Sequence, residues 1–412
     1  MRLLAILTAV AALGCAAPAD PPAAARRVLL PDVGPPLRVA AISVNSARRA
    51  TLRNAQLITN IVNGLPAAAR FLVLTNDRSA FTVARDDHPG RVRFLELPFE
   101  SPITIWTQDP FLVLAGPGDE ITLLTSKEFE RADDRLMADV IAREGGYRVQ
   151  PSKLFFEGGN IVSDEQHILI GANTIRRNAV EFDVSDAEVV LRFEEELGRR
   201  VLVVGPFPQP IAHIDMAITP LGGGLIAVAD SAAGAAIAER ALKENATSVA
   251  AFERWCEEHF FGDPAIRELT GKGGSLTAPH VTGRTAEMIA KSREVAPLLD
   301  GVAASLERHG YRVARVPLLF GGPEAEPTAD DTERMRAAYP MLTYNNVIVE
   351  ADAAGRRVYL PRYGWPAMDD AAREAWAALG FAARPIDGLT ISAMYGGALR
   401  CSVKVLARGA LP

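Results

Sequence analysis

Four stretches of this chain repeat one pattern: an apolar run, a short turn rich in Gly and Asp, and a second apolar run. They are Phe111–Leu124, Phe156–Ile170, Ile214–Val228 and Val347–Leu360, and they begin 45, 58 and 133 residues apart. Units recurring about every 50 residues predict a propeller-like array in which each unit buries its apolar face against its neighbours. The longest gap leaves room for an extra unit or an insertion. Further Val/Ile/Leu/Phe runs at Leu37–Val44, Phe71–Thr75, Val92–Leu97, Val201–Val204 and Val313–Leu319 predict strands. Helical periodicity marks Ala47–Ile61, Lys127–Arg143, Asp186–Leu197, Ala232–Lys243, Thr285–Ser305 and Met368–Ala378. The class is mixed α/β. A length of 412 residues alone would allow two or three domains, but no linker divides the body, so residues 37–412 are expected to form one pseudo-symmetric domain.

The first residues suggest an address. Met1-Arg2 is followed by an almost wholly apolar run, Leu3 to Leu13, and then by Gly14-Cys15. That run is too short to span a bilayer, which needs about 20 residues, and it fits the apolar region of a secretory signal. Ala12-Leu13-Gly14-Cys15 resembles a bacterial lipobox, with Ala12 where Leu is usual, so residues 1–15 are expected to be a signal and Cys15 the lipidated residue. Residues 16–36 read as a Pro/Ala-rich tether. The expected location is the cell envelope of an exporting bacterium, lipid-anchored or otherwise periplasmic or secreted, with membrane contact only through the lipid. A net charge of -6 offers no broad basic face, so nucleic acid is not an expected partner.

The chain has three cysteines. With Cys15 given to lipid, Cys256 and Cys401 remain, too few to staple a fold of this size. Cys256 lies in the helical pattern of Phe252–Phe260 and reads as a small buried residue. Cys401 follows Gly396-Gly397 and could be presented to a cleft as a thiol; a Cys256–Cys401 disulfide is the reading that would abolish that role.

Polar residues stand at the mouths of the repeated units. Trp106-Thr107-Gln108-Asp109-Pro110 precedes the first, Glu157-Gly158-Gly159-Asn160 enters the second, His213-Ile214-Asp215 the third and Tyr344-Asn345-Asn346 the fourth. On a strand, His213 and Asp215 would face the same way. Each motif has a bland reading: Asp before Pro forms turns, Glu-Gly-Gly forms loops, and His-x-Asp can be a satisfied core pair. Their recurrence at equivalent points is the stronger signal, because a pseudo-symmetric array would gather them about one axis. A Cys thiolate attacks an electrophilic carbon while a His protonates the leaving group and then activates water. Carboxylates beside that thiolate suit a cationic substrate, and a planar guanidinium pairs bidentately with them. Hydrolysis of a guanidino carbon through a covalent thiouronium, releasing ammonia, is the reaction that fits.

These motifs resemble, in order, those of the guanidino-group-modifying superfamily, the pentein fold. It holds arginine, agmatine and peptidyl-arginine deiminases, dimethylarginine hydrolases and amidinotransferases. Thr107-Gln108-Asp109-Pro110-Phe111 is similar to the arginine-deiminase Thr-Arg-Asp-Pro-Phe, Glu157-Gly158-Gly159-Asn160 to the agmatine-deiminase Glu-Gly-Gly-Asn, and His213-Ile214-Asp215 to the family's His-x-Asp. Tyr344–Asn346 with Val358–Pro361 resembles a late Asn-containing hairpin of agmatine deiminases, and Cys401 falls where the family's nucleophile sits. The resemblance implies a five-bladed α/β propeller and a cofactor-free, metal-free deiminase. In it Cys401 would be the nucleophile, His213 the general acid/base, Asp109 and Asp215 the guanidinium anchors, and Glu157 an aid to binding and proton transfer. Asn160, Asn345, Arg400 and Trp106 would line the substrate, a small guanidino compound such as arginine or agmatine, or an arginine-containing peptide.

The residue before the nucleophile is Arg400, where agmatine deiminases have His and arginine deiminases have Arg. Arg400 could lower the thiol pKa, grip a substrate carboxylate, or simply lie at the surface. A dimethylarginine hydrolase, an amidinotransferase or a non-catalytic exported binding protein of the same fold are the competing readings. A metal hydrolase lacks its His-Glu-x-x-His helix, Gly-x-Ser-x-Gly is absent, and Gly271–Ser275 lacks the residues of a phosphate loop, reading instead as a flexible loop.

Overall fold

A computed structural model describes residues 27–44, 51–76, 90–98, 101, 103–261, 283–322, 339–394 and 396–409. The expected signal with Cys15, the start of the tether, the beginning of the Ala47–Ile61 helix and the Gly271–Ser275 loop lie outside the described residues.

All four repeated stretches contain antiparallel hairpins. Phe111–Ala115 pairs with Ile121–Thr125, Ile161–Ser163 with His167–Gly171, Ile218–Gly222 with Leu225–Asp230, and Ile348–Asp352 with Gly355–Pro361. In each case the second arm leads through helix to a further strand that returns parallel to it: Arg148–Pro151, Arg200–Val204, Arg312–Leu319 and Ala382–Ile386 respectively. A fifth sheet has the same plan but is built from distant parts of the chain. Val403–Arg408 runs antiparallel to Leu37–Val44, which leads through the helix Thr51–Gly64 to the parallel strand Arg70–Thr75. The long third spacing comes from the helices Ser231–Glu244, Ala246–Phe261 and Arg284–Arg308, which stand between the third hairpin and its parallel strand.

Hairpin arms such as Phe111–Ala115 and Ile121–Thr125 read as continuous apolar runs because nearly every residue in them is buried, as in strands covered on both faces. Some helices begin where a side chain satisfies a free N–H group. Ser185 accepts from the Glu188 amide to open Asp186–Leu197, which closes on Gly198 with a left-handed φ of 82°. Asp230 accepts from the Ala233 amide to open Ser231–Glu244.

Two expectations need correction. Residues 27–36 are not tether: Val28 and Leu29 pair with Ala115 and Leu114, and the Leu29 and Val33 side chains are buried. A Pro-rich composition concealed a short edge strand whose backbone completes the first sheet. The helix expected over Lys127–Arg143 begins at Leu136, after a 3-10 turn at Ala132–Arg135. The residues before that turn are held in place by the Lys127 amide bonding to Leu154 O and by Arg131 reaching Asp134.

The hairpin pattern also fixes where chemistry can gather. Trp106–Pro110, Glu157–Asn160, His213–Ala217, Thr343–Val347 and Leu399–Ser402 each immediately precede the first arm of one sheet. Polar residues from five distant parts of the sequence thus occupy one structural position, repeated.

Candidate active site

Three of these segments meet through glycine. A Cβ on Gly159 would lie 2.4 Å from His213 Nδ1 and 2.9 Å from Asp109 Oδ1, and one on Gly158 would lie 2.0 Å from the main-chain oxygen of Gln108. The Gly-Gly pair is what lets the Glu157 turn close over the Asp109 and His213 segments. Gly159 N donates to Asp109 Oδ1 at 3.1 Å, and Gly158 N to Asp109 O at 2.9 Å. His213 Nε2 hydrogen-bonds Glu157 Oε2, while its Nδ1 lies 3.7 Å from Asp109 Oδ1. Burial opposes charge on His213, but Asp109, Glu157 and Asp215 outweigh it and push its pKa up to about 9. The imidazole is therefore a cation at neutral pH, and its hydrogen bond holds Glu157 below the usual carboxylate range. Glu157 is the more open of the pair, with a side chain 28% exposed.

Beneath this lies a closed floor. Asn346 brackets Cys401 at both ends: its Nδ2 donates to Sγ at 3.2 Å and its Oδ1 accepts from the Cys401 amide at 3.1 Å. The same Nδ2 reaches Asp215 O at 3.4 Å, and Met216 Sδ is 3.8 Å from Sγ. Asp215 is fully buried. Its Oδ2 accepts from Arg400 at 2.7 Å, and its Oδ1 is a buried oxygen with no hydrogen-bond partner. Burial, then the negative charges of Asp215 and Asp109, push the Cys401 thiol well above its ordinary pKa. Burial likewise raises the pKa of Asp215, against the pull of Arg400 and His213. The resting Cys401 is a neutral thiol.

No protein-family model and no curated protein matches the chain. Solved structures do. Agmatine deiminase from C. jejuni aligns over 93% of this chain and 96% of its own with a TM-score of 0.59 at 12% identity. Agmatine deiminase from Enterococcus faecalis aligns over the same shares with a TM-score of 0.59 at 13% identity. The chain has the pentein fold.

Within this fold several expected residues take other places. His213 and Asp215 do not share a strand: His213 is extended, but Ile214–Met216 is a 3-10 turn, pinned by the Ile214 amide donating to Asn160 Oδ1 at 3.2 Å. Asn160, expected to line the substrate, is bonded within the chain. Its amide is fully engaged with Thr174, Gln209 and Ile214, and it serves as a clamp for the His213 turn. Asn345 turns its side chain toward Thr219, and its neighbour Asn346 contacts Cys401 instead. Arg400 is neither at the surface nor free for a substrate carboxylate: it binds Asp215, Asp32 Oδ1 at 2.8 Å and Ile161 O at 3.0 Å. Asp109 carries its own guanidinium, Arg131, at 2.8 Å. Trp106 packs on Gly397, where a Cβ would lie 2.3 Å from its ring. Cys256 and Cys401 are free thiols, and Cys256 sits in the largest core cluster.

Asp32, Arg131, Asn346 and Lys404 belong to this neighbourhood without having been expected there as site residues. Asn346 carried a signal in its motif, because it sits beside Asn345 at a hairpin mouth. The others carried none. Among the described residues, no group of three or more His, Cys, Asp and Glu side chains is arranged to hold a metal ion.

Proposed function

We propose that the protein is a guanidino-group hydrolase, a deiminase acting on arginine, an arginine derivative such as agmatine, or peptidyl-arginine. The observation that carries this reading is the buried, unpartnered Oδ1 of Asp215 beside the Cys401 bracket. A carboxylate oxygen shielded from water and lacking a donor calls for a cation with N–H groups, and a guanidinium supplies both. Burial, and after it the negative field of Asp215 and Asp109, holds the thiol protonated; the positive charge of the substrate would offset that field, favouring loss of the Cys401 proton to solvent. The thiolate then adds to the central guanidino carbon. His213, already protonated, gives its proton to one nitrogen, the C–N bond breaks, and ammonia leaves a Cys401 thiouronium. Neutral His213 takes a proton from water, the resulting hydroxide adds to the same carbon, and the C–S bond breaks to give free thiolate and the ureido product, whose hydroxyl proton passes to solvent. Glu157 holds the imidazole in position through both halves.

The proposal includes a five-bladed arrangement of the five sheets about a pseudo-symmetry axis, supported by their common hairpin–helix–parallel strand plan. It also includes export and lipid attachment at Cys15, supported by the sequence of residues 1–15. Mass spectrometry of the mature N-terminus tests the latter.

A second reading is a non-catalytic guanidino-binding protein, favoured by one observation: both expected anchors, Asp109 and Asp215, already hold arginines of this chain. One experiment separates the two. Purified protein is incubated with arginine, agmatine, methylarginines and arginyl peptides, and ureido product, ammonia and adduct mass are measured. Turnover that disappears in Cys401→Ser supports the hydrolase; saturable binding with neither product nor adduct supports the binder.

A further inference from the structure

Between the strand that follows Cys401 and the hairpin arm Phe111–Ala115 lies a cavity of about 40 Å³. Its polar lining is Asp32, Gln108, Arg400, Lys404 and Arg408, and aliphatic side chains close the rest. Three cations thus face one carboxylate. That carboxylate is engaged: Asp32 Oδ1 accepts from Arg400 and Oδ2 from the Ser163 amide, each at 2.8 Å. Two of the cations are left with donors to satisfy. Lys404 is only 4% exposed, and its ammonium donates to Gln108 O at 3.0 Å and sits 5.1 Å from the Phe111 ring centroid. An ammonium has three N–H groups, so this leaves it short of acceptors. Arg408 gives its terminal nitrogens to the main-chain oxygens of Pro35, Val349 and Asp32, but its Nε is buried with no partner.

Buried donors on charged side chains require an acceptor, and here two come from cations whose charge no nearby free carboxylate offsets. A water needs only about 10–15 Å³ of such space, so the cavity has room for a small anion beside these donors. We infer that a single halide-sized monoanion, chloride in ordinary salt, binds in this cavity between Lys404 and Arg408. Its role is to fix the two segments that carry the thiol and one anchor. Lys404 holds Gln108 O, and the Gln108 amide holds Cys401 O at 3.1 Å, so an ion on Lys404 braces Asp109 and Cys401 together. Burial and the charge of Arg400 otherwise push the Lys404 pKa down to about 7, which an adjacent anion would reverse. The inference stands apart from the hydrolase reading, because its readout is ion binding.

Thermal unfolding of the full protein is measured at constant ionic strength while sodium gluconate is replaced by sodium chloride or bromide. The midpoint is expected to rise and saturate with halide, as for any ligand that binds only the folded state. In Lys404→Met the response should vanish, and in Arg408→Gln the apparent halide dissociation constant should weaken by about tenfold or more, which keeps the test open if one variant does not fold. Crystals grown in bromide should show an anomalous peak inside the cavity. A response that does not saturate, one that persists unchanged in both variants, or water alone in the cavity would overturn the inference.

Discussion

The candidate site holds two carboxylate–arginine pairs of nearly the same geometry in different surroundings. Asp109–Arg131 and Asp215–Arg400 have closest N···O distances of 2.8 and 2.7 Å. Both carboxylates are buried, Asp109 at 4% exposed and Asp215 wholly, but the Arg131 side chain is 31% exposed and that of Arg400 only 10%. Solvent competes for the charge of the more exposed arginine and weakens its pairing. Breaking a buried pair strands a charge and costs about 3–5 kcal/mol. The contact is thus more readily exchanged at Asp109 than at Asp215. Under the proposed function a guanidinium would displace Arg131 from Asp109, but on Asp215 it would use the one oxygen that Arg400 leaves unpaired.

The largest test of that contrast is Arg400→Met, which strands both Asp215 and Asp32. It should lower stability by about 3–5 kcal/mol in denaturant unfolding; a loss no larger than that of Arg131→Ala would make Asp215 no different from Asp109. Next in size is the effect of pH on His213, whose charge links the two levels. Its folded pKa, about 9, lies above the ordinary value near 6.5. Its ionic contribution to stability is therefore fully present below about pH 6.5 and lost as pH rises through about 9. The stability difference between the wild type and His213→Asn should shrink over that window, and turnover should fall with an alkaline limb near pH 9. Glu157→Gln, which removes one cause of the raised pKa, should move the limb to lower pH. Smallest is Arg131→Ala, which uncovers the buried carboxylates of Asp109 and Asp134 but removes the more exposed cation, with a stability loss of about 1–3 kcal/mol. If Arg131 competes with substrate for Asp109, this variant lowers KM severalfold; a raised KM would show instead that Arg131 holds Asp109 in place.

The contrast also separates what could be read in the sequence from what could not. The hairpins were legible because a strand buried on both faces has to be written as an unbroken apolar run, and Ile168, Leu169 and Ile170 are such a run. Asp109, Glu157, His213 and Asp215 were legible because each opens one of these units. The orientation of His213 and Asp215 was not, because the turn between them depends on Asn160, a residue 54 positions from Ile214. The role of Arg400 was hidden for the same reason. Its partners Asp215 and Asp32 lie 185 and 368 positions away, and Asp32 sat in a stretch whose prolines suggested no fold at all. Periodicity reports burial along a single element; pairing across elements waits on topology. Cys401 could be picked out, but its bracket by Asn346 could not, since adjacent asparagines differ only in which one the hairpin aims at the thiol.

The strand that follows Cys401 completes its sheet by pairing with Leu37–Val44, so one of the first strands described waits for the last. During synthesis the helices and the four local hairpins can form while the chain is still emerging. The thiol acquires its neighbours only once Val403–Arg408 is available to pair with Leu37–Val44. Until then the nascent polypeptide carries an ordinary unstructured cysteine, and any product cut short before residue 403 is a nearly complete scaffold that lacks the closing strand.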